Sequence, residues 1–288
     1  MTAQIVTKMV ETAPGVTLCT EAWGEPERGT FLLAMGATAS MVWWPDSLMQ
    51  ALADGGYQAI RFDHRDTGRS TSGAPGVVDY DLDALMGDLL AILDAHGVRQ
   101  AHLAGMSLGG YVAQILALQQ PDRVQSLTLI ASEPLGHTYE GEGISDEFMA
   151  HFGSMGVLDW SDRAAVSAFL LRIAELSAGP AGFDGVAAQR RIDKELDRTS
   201  NIQSAFNHSM VGGDVDGLDI SNVTQPVLVV HGSDDPVISV AAGRKIAAVA
   251  RDSEMLTLDG RGHELLEADV AKIAGALLGV AERSYSAA

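Results

Sequence analysis

The chain of 288 residues is 47% hydrophobic and 20% charged, a balance typical of a soluble globular protein with one large α/β domain or a domain carrying a modest insertion. Its formal net charge of −19, without a basic stripe, would repel phosphate backbones, so we expect no nucleic-acid partner. The single cysteine, Cys19, excludes a disulfide framework and favours a reducing, cytoplasmic location. We expect no secretory signal and no membrane partner, because no basic region precedes an apolar run and no apolar stretch reaches membrane-spanning length.

The first part of the chain alternates predicted strands and helices. "QIVTKMVE" and "VTLCTEAWG", separated by the turn-prone "TAPG", predict an opening hairpin. The nearly all-apolar "TFLLAMGA" predicts a strand buried on both faces, and "DSLMQALADGG" predicts a helix capped by Asp46. "YQAIRF" predicts the next strand, after which we expect His64 to organise a polar loop with Asp63, Arg65 and Asp66. "DYDLDALMGDLLAILDAHG" has leucines at helical spacing and predicts an amphipathic helix.

The segment "AGMSLGG" places Ser107 between glycines two positions before it and two positions after it. The apolar run before the segment predicts a strand, and the apolar residues of "YVAQILALQQ" after it recur at helical spacing. Glycines permit a sharp bend, and a serine at its apex would expose its hydroxyl at the start of a helix. This is the arrangement of a G-x-S-x-G nucleophile elbow, although an N-capping serine in a glycine-rich turn has the same pattern. We therefore predict that Ser107 is a nucleophile if the chain supplies partners for it.

The alternation stops after the strand predicted at "VQSLTLIAS" and resumes near residue 221. The interval contains four predicted helices, and the interleaved acids and bases of "AQRRIDKELDR" indicate that one helix has a solvated face. Beyond the interval, "QPVLVVHG" and "SEMLTLDG" predict two more strands, each followed by a helix. We therefore expect an α/β fold with a mostly parallel twisted sheet and helices on both faces. Residues 1–134 and 221–288 would form this core, and residues 135–220 an inserted helical cap.

Two late loops offer partners for Ser107. Ligands of open α/β sheets bind at the carboxyl ends of the strands, where Asp235 follows one predicted strand and His263 follows the next. An acyl-transfer serine needs a base and an acid that orients the base, in the chain order serine, acid, histidine. Asp235 is favoured over Asp234 because the proline after it disposes it to an extended conformation. Glu133, which follows an earlier strand, is a further candidate for the acid.

With these motifs the chain resembles the α/β-hydrolase superfamily, almost from end to end. "GMSLGG" matches the family's serine motif, "HGSDDPV" is similar to its acid loop, and "GRGHE" resembles its closing histidine motif. The resemblance implies that the backbone N–H groups of Ala37 and Leu108 are oxyanion-hole donors, although Met35 stands where a histidine is usual. Within the superfamily, "RFDHRDTGRST" and "AMGA" look most like the aclacinomycin methylesterase group from polyketide tailoring.

Aromatic and methionine side chains of the predicted cap, with one tryptophan near the oxyanion turn, are candidate substrate-binding residues. Most residues at such spacing pack in a core, but a capped esterase must also line its pocket with them, and they indicate a largely apolar substrate. The candidates are Trp43, Phe148, Met149, Phe152, Trp160 and Met210. We expect no cofactor and no metal, because "HELLE" lacks the second histidine of a zinc-binding helix and no other ligand spacing occurs.

These observations predict a serine hydrolase that acts on a carboxylic ester of a small, largely apolar molecule through an acyl-enzyme intermediate. Lactone opening, carbon–carbon bond hydrolysis and cofactor-free perhydrolysis stay open, because they need the same triad and differ in pocket shape. Aminopeptidase action would need a carboxylate cluster in the cap, and we expect Glu147, Glu175 and Asp184 not to converge. The alternative from another class is a non-catalytic small-molecule receptor on the same fold. No oligomeric state is predicted.

Overall fold

One sheet of eight strands runs through the computed structural model, which describes residues 3–286. In chain order the strands are β1 (Ile5–Ala13), β2 (Val16–Trp23), β3 (Thr30–Ala34), β4 (Gln58–Phe62), β5 (Ala101–Met106), β6 (Val124–Ile130), β7 (Val227–Gly232) and β8 (Ser253–Leu258). Their order across the sheet is β1-β2-β4-β3-β5-β6-β7-β8. β2 pairs antiparallel with β1 and with β4, and the other pairs are parallel. The prediction of an α/β fold with a mostly parallel sheet is confirmed.

Helices pack on both faces of this sheet. In chain order they are α1 (Asp46–Asp54), α2 (Leu82–Ala95), α3 (Leu108–Gln119), α4 (Asp146–Gly153), α5 (Arg163–Leu176), α6 (Gly185–Arg198), α7 (Val240–Val249) and α8 (Val270–Ser286). One apolar cluster joins the sheet to α2, α3 and α7 through side chains that include Leu89, Leu116 and Ile246. A second cluster joins it to α1 and α8 through Leu48 and Leu277. Because both faces are covered, β3 and β7 are buried along their whole length and consist almost entirely of apolar residues.

The predicted helix at "NIQSAFNHSMVGG" is a 3-10 helix, Ile202–Met210, and not an α-helix. The tighter winding has three residues per turn, so side chains three positions apart lie on one face. Ser204 and Asn207 have this spacing, and both bind backbone carbonyl groups of the loop after β4. Ser204 Oγ donates to Gly73 O at 2.7 Å, and Asn207 Nδ2 donates to Ala74 O at 3.1 Å. These tertiary hydrogen bonds explain the departure from the helical prediction.

Asp46 was expected to cap α1, but it is the first residue of that helix. The cap position belongs to Pro45, which makes no side-chain hydrogen bond there. The Asp46 carboxylate lies 2.7 Å from Nη1 of Arg61 in β4. The ion pair with a neighbouring strand, which local sequence does not reveal, therefore takes the carboxylate away from the capping role.

The helices α4, α5 and α6 lie between β6 and β7 in the chain, where the strand–helix alternation stops. α6 is bound to the edge of the sheet at which the parallel strands end. Arg198 Nη2 is 2.6 Å from Oδ2 of Asp63, which is fully buried directly after β4. Arg191 Nη1 donates to the carbonyl oxygen of Leu265 at 3.0 Å. Among residues 3–286, no helix has both the length and the apolar composition that a bilayer crossing requires.

The polar loop after β4 is organised by carboxylates that bind its backbone. Asp63 accepts hydrogen bonds from the N–H groups of Met41 and Arg69, both at 2.9 Å. Asp66 accepts one from the N–H of Gly73 at 2.6 Å. Each carboxylate thereby fixes backbone N–H groups of the loop or of the segment after β3. The loop is thereby held at the carboxyl end of β4, against the segment that follows β3.

Arg65 of this loop forms a buried ion pair with Asp88 of α2. Its Nε and Nη2 donate to the two carboxylate oxygens at 2.7 and 2.8 Å, and the Asp88 side chain is only 1% exposed. The same helix carries a second pair of this type, Asp94 with Arg123 at 2.6 Å, whose carboxylate is 67% exposed. The two pairs differ mainly in burial, so they form a natural comparison.

We expect Asp88→Asn to lower the free energy of unfolding by about 3 kcal/mol, because it leaves the mostly buried Arg65 guanidinium without its counter-ion. Asp94→Asn should cost less than about 1 kcal/mol, since exposed pairs are screened by solvent. Urea denaturation of both variants and the wild type measures the difference. Equal losses of unfolding free energy in Asp88→Asn and Asp94→Asn would contradict the view that burial makes the Arg65–Asp88 pair the more important one.

Candidate active site

Ser107 lies at the sharp turn between the end of β5 and the start of α3. Its backbone has φ 49° and ψ −117°, a conformation that residues with a side chain rarely adopt. Two hydrogen bonds hold this conformation. The Ser107 N–H donates to Ile130 O at 2.9 Å, and its carbonyl oxygen accepts from Ser132 Oγ at 3.0 Å. The turn presents the serine at the carboxyl end of a central strand with its side chain partly exposed.

Gly105 and Gly109 are required by close backbone contacts around this turn. A Cβ atom on Gly105 would lie 2.4 Å from the carbonyl carbon of Gly109, and one on Gly109 would lie 2.2 Å from the carbonyl oxygen of Ala34. Both distances are far shorter than van der Waals contact, so only glycine fits at either position. The spacing of the motif therefore reflects the packing of α3 directly against β5 and the end of β3.

His263 and Asp235 lie together after β8 and β7. His263 Nδ1 is 2.8 Å from Asp235 Oδ2, and the other carboxylate oxygen accepts the backbone N–H groups of Val237 and Ile238, both at 2.8 Å. Burial by itself raises the pKa of Asp235, but the hydrogen bonds from His263 and from the two amides outweigh it and lower that pKa below its usual value. An ionised Asp235 fixes the proton of the neutral imidazole on Nδ1 and leaves Nε2 as a proton acceptor.

Ser107 and His263 line the same cavity. Within the described part of the chain, no hydrogen bond joins Ser107 Oγ to the imidazole ring. Such contacts are often long in unliganded enzymes and shorten when substrate binds. The His263 backbone N–H donates to Ser177 O at 2.7 Å, which holds the histidine loop against the end of α5.

The two other candidates for the acid are both exposed. Asp234 accepts a hydrogen bond from Ser233 Oγ at 2.5 Å, and Glu133 accepts one from the Tyr139 hydroxyl at 2.7 Å. Neither makes a hydrogen bond with His263 in the region that the structure describes. His263 is therefore hydrogen-bonded to Asp235, and the role of Asp235 as the acid stays a prediction.

The turn after β3 packs against the serine. A Cβ atom on Gly36 would lie 3.3 Å from Ser107 Cβ, and the next residue, Ala37, lines the cavity. Leu108 is the first residue of α3, and the first N–H groups of a helix have no partner within it. The two backbone donors that the resemblance implied therefore lie on either side of Ser107.

Two buried histidines hold the peptide groups that flank this turn. His64 Nε2 bonds to Met35 O at 3.0 Å, and His208 Nδ1 accepts the N–H of Thr38 at 3.0 Å. Since a backbone N–H can only donate, the proton of His208 is on Nε2, which donates to Arg65 O at 2.8 Å. Burial lowers the pKa of both histidines, that of His64 to about 3, so both rings are neutral at physiological pH. The turn is thus supported although Met35 replaces the usual histidine.

The cavity has a volume of about 270 Å³ and lies between the sheet edge and helices α4 to α6. Of the predicted substrate-binding residues, Trp43, Phe148 and Phe152 line it. Further apolar side chains of α5 and α6 complete this wall: Leu170, Ile173, Ala174 and Ala188. An organic group with a mainly apolar surface fits such a lining.

Three predicted substrate-binding residues lie outside the cavity lining. Trp160 packs on Phe206, with their ring centroids 5.4 Å apart. Met149 and Met210 are 51% and 52% exposed. Spacing along the chain identified the apolar positions, but the inward face of each element depends on how the helices pack together.

Glu195 of α6 is a cavity-lining residue that sequence analysis missed. It is 2% exposed, and its Oε2 accepts hydrogen bonds from the Ser40 N–H at 3.1 Å, Ser40 Oγ at 2.7 Å and Trp43 Nε1 at 3.0 Å. Its Oε1 is buried with no hydrogen-bond partner among the described residues. Burial raises the pKa of Glu195 to about 7, against the three hydrogen bonds that lower it. The pattern that indicated a solvated helix face contained no signal that set this acid apart.

Two of the three carboxylates that we expected to lie apart do meet. Glu147 and Glu175 both bind Arg172 of α5, Glu175 at 2.5 Å, and both are at least half exposed. Asp184 is separate and caps α6, where it accepts the N–H of Ala187 at 2.9 Å. Because Arg172 neutralises the surface pair, the pair does not form an anionic site for an ammonium group.

Comparison with known proteins gives one consistent result. A family model described as alpha/beta hydrolase fold matches residues 29–269. The chain is 31% identical to Rhodomycin D methylesterase DauP from Streptomyces sp. (strain C5) and 30% identical to Rhodomycin D methylesterase DnrP from Streptomyces peucetius. Each alignment covers 90% of this chain and 92% of the relative. The crystal structure of a hydrolase from Pseudomonas aeruginosa PA01 is similar with a TM-score of 0.72 and 25% identity, over 95% of this chain and 97% of that chain.

The raised pKa of Glu195 predicts a pH-dependent loss of stability. The group titrates near pH 7 in the folded chain and near its ordinary value of 4.5 when unfolded, so the folded state holds an extra proton between these values. Stability from this group is present below pH 4.5 and is lost as the pH rises through 7. We expect the unfolding free energy of the wild type to fall by about 3 kcal/mol relative to that of Glu195→Gln across this window.

Urea denaturation between pH 4.5 and 8 measures this difference. Glu142→Gln, which changes an exposed glutamate of the same inserted segment, should follow the wild type at every pH. If the curves of the wild type and Glu195→Gln run parallel, folding does not raise the pKa of this carboxyl group.

Proposed function

Since the chain belongs to the α/β hydrolase family and is a carboxylic ester hydrolase, we propose that it is a serine esterase with Ser107 as its nucleophile. The observation that carries the proposal is the cavity that Ser107 shares with His263, whose Nδ1 is bonded to the buried Asp235 carboxylate. The strained turn at Ser107 supports it, because such backbone conformations occur where a nucleophile must be presented.

The reaction follows from the roles of these three side chains. His263 Nε2 takes the proton of the Ser107 hydroxyl while Oγ attacks the ester carbonyl carbon. The tetrahedral intermediate expels the alcohol, which receives that proton, and an acyl group remains on Oγ. A water molecule deprotonated by the same imidazole then releases the acid. Asp235 keeps the imidazole in the required tautomer and stabilises the imidazolium that forms twice in the cycle.

The negative charge that develops on the carbonyl oxygen needs fixed donors. The N–H groups of Ala37 and Leu108 are the candidates, and the loss of one such donor typically costs about 3–4 kcal/mol of transition-state stabilisation. His64 and His208 support this assignment, because they hold the carbonyl of Met35 and the N–H of Thr38 in place. A turn held on both sides stays pre-oriented, so little reorganisation accompanies the reaction.

We further infer that the substrate is a methyl ester of a small acid with a largely apolar body. The names of the two Streptomyces relatives, both methylesterases, support a small alcohol group. The apolar lining from Trp43, Phe148 and Phe152 supports an apolar acid portion. Residues 135–220 would then act as a cap that covers this portion, since α4, α5 and α6 supply much of the cavity wall.

Ser107→Ala should abolish hydrolysis of a short p-nitrophenyl ester, because no other group takes over the attack. Ser209→Ala is the matched control, since Ser209 lines the same cavity but its hydroxyl donates to Phe206 O at 2.8 Å. A fluorophosphonate probe should label the wild type and the control and leave Ser107→Ala unlabelled. Retained turnover or labelling in Ser107→Ala would refute the assignment, and an unlabelled wild type would favour a receptor.

The adjacent aspartates provide a second test. We expect Asp235→Asn to lower kcat by roughly 10⁴-fold, because the amide favours the wrong imidazole tautomer, while the fold stays intact. Asp234→Asn should lower kcat only slightly, since that carboxylate is exposed. Steady-state kinetics with the same p-nitrophenyl ester decide between them. A larger loss in Asp234→Asn, or in Glu133→Gln, would move the acid to that residue.

A further inference from the structure

One residue of the cavity lining has a carboxylate oxygen to which no described residue donates a hydrogen bond. Glu195 lines the cavity and is 2% exposed. Its Oε2 accepts three hydrogen bonds from Ser40 and Trp43, whereas its Oε1 has no partner among residues 3–286. Buried polar atoms in native proteins almost always have one. Of the buried side-chain atoms without a partner among residues 3–286, only Glu195 Oε1 belongs to a residue of the cavity lining, where a ligand can supply the missing donor.

Contacts within the protein account for only one of the two oxygen atoms of this carboxyl group. The three bonds to Oε2 attach α6 to the segment after β3, and a single acceptor oxygen is enough for them. Glutamine could provide that acceptor without burying an acid. No hydrogen bond from a described residue therefore accounts for the second oxygen of Glu195.

The surroundings of Glu195 favour a hydroxyl group over an ammonium group as the donor. A hydroxyl has one donor proton, which a single acceptor satisfies, while an ammonium group has three and would leave two unpaired beside an apolar wall. A cation would also meet Arg191, which lines the same cavity with its guanidinium 5.6 Å from the centre of the Trp43 ring. Trp43 is thus contacted by Arg191 over its face and by Glu195 at its Nε1.

The distance from Glu195 to the bond that breaks is within the length of a small molecule. Its partner Ser40 is four residues after Gly36, which lies directly against Ser107. Four residues span at most about 14 Å. A substrate whose ester group lies at Ser107 can therefore reach Oε1 with a group on its body.

We propose that Glu195 Oε1 accepts a hydrogen bond from a hydroxyl group on the body of the substrate, so that the enzyme selects hydroxylated esters over otherwise equal apolar ones. Glu195 is then a specificity-determining residue. The inference rests on the proposed esterase function, because it concerns the substrate of that same cavity.

The test uses methyl esters of ω-arylalkanoic acids with two to five methylene groups, so that one length matches the unknown span. Each ring carries a para hydroxyl, methyl or aminomethyl group, and methanol release measures kcat/KM. In the wild type we expect the hydroxyl ester to exceed the methyl ester roughly tenfold or more at one length at least. Glu195→Gln should lower that ratio severalfold, because its amide oxygen replaces Oε2 and a neutral NH₂ donor then takes the place of the charged acceptor.

Two controls isolate the effect. Glu264→Gln removes another carboxylate from the cavity lining, and Glu142→Gln removes an exposed one from the inserted segment. Both should keep the wild-type ratio of hydroxyl to methyl ester. A ratio that falls equally in Glu264→Gln would mean that the charge of the cavity, and not Glu195, sets the preference, and would overturn the proposal.

The remaining outcomes are also decisive. A wild-type ratio near one at every length overturns the proposal whether or not the variant folds, as does a ratio that Glu195→Gln leaves unchanged. A preference for the aminomethyl ester would overturn the assignment of a hydroxyl group, because the donor at Oε1 would then be an ammonium group. If no ester is hydrolysed, the proposed function fails instead. Titration calorimetry of the same esters with Ser107→Ala then still measures the hydroxyl preference, so the two failures are distinguished.

Discussion

Ser107 adopts a left-handed backbone conformation between β5 and α3, and that conformation is possible only because Gly105 and Gly109 allow the backbones around it to touch. A strained residue of this kind costs of the order of 1–3 kcal/mol and persists only where its surroundings hold it in place. Here the surroundings are the centre of a sheet covered on both faces by helices. The large buried core therefore maintains one unfavourable turn, around which the histidine loop and the turn after β3 are arranged.

Two buried carboxyl groups of the candidate site have pKa values that shift in opposite directions. Burial by itself favours the neutral form of both Asp235 and Glu195. The pKa of Asp235 is nevertheless lowered, because both of its oxygens accept hydrogen bonds. Glu195 has donors at one oxygen only, and its pKa rises to about 7. The donors at both oxygens and the neighbouring His263 thus lower the pKa of Asp235, whereas the deeper burial of Glu195 outweighs the donors at its one bonded oxygen.

The helices between β6 and β7 are attached to the core by specific polar contacts. α6 is joined to the core by the ion pair of Arg198 with Asp63, by the bonds of Glu195 to Ser40 and by the bond of Arg191 to Leu265. These contacts hold one wall of the cavity at a fixed position relative to the strand ends. A polar group on that wall can therefore discriminate between substrates by position, because rigid supports are what make a hydrogen bond selective.

Sequence alone determined the α/β architecture and the position of Ser107, Asp235 and His263 in the segments that follow three strands, because periodicity, glycine placement and strand ends are local properties of the chain. Tertiary structure decided which faces of the inserted helices point inward. It placed Phe152 at the cavity, left Met149 exposed, and buried an acid that local charge pattern had assigned to a solvated face. The orientation of a helix and the acidity of a carboxyl group depend on residues far away in the chain, and no local pattern records them.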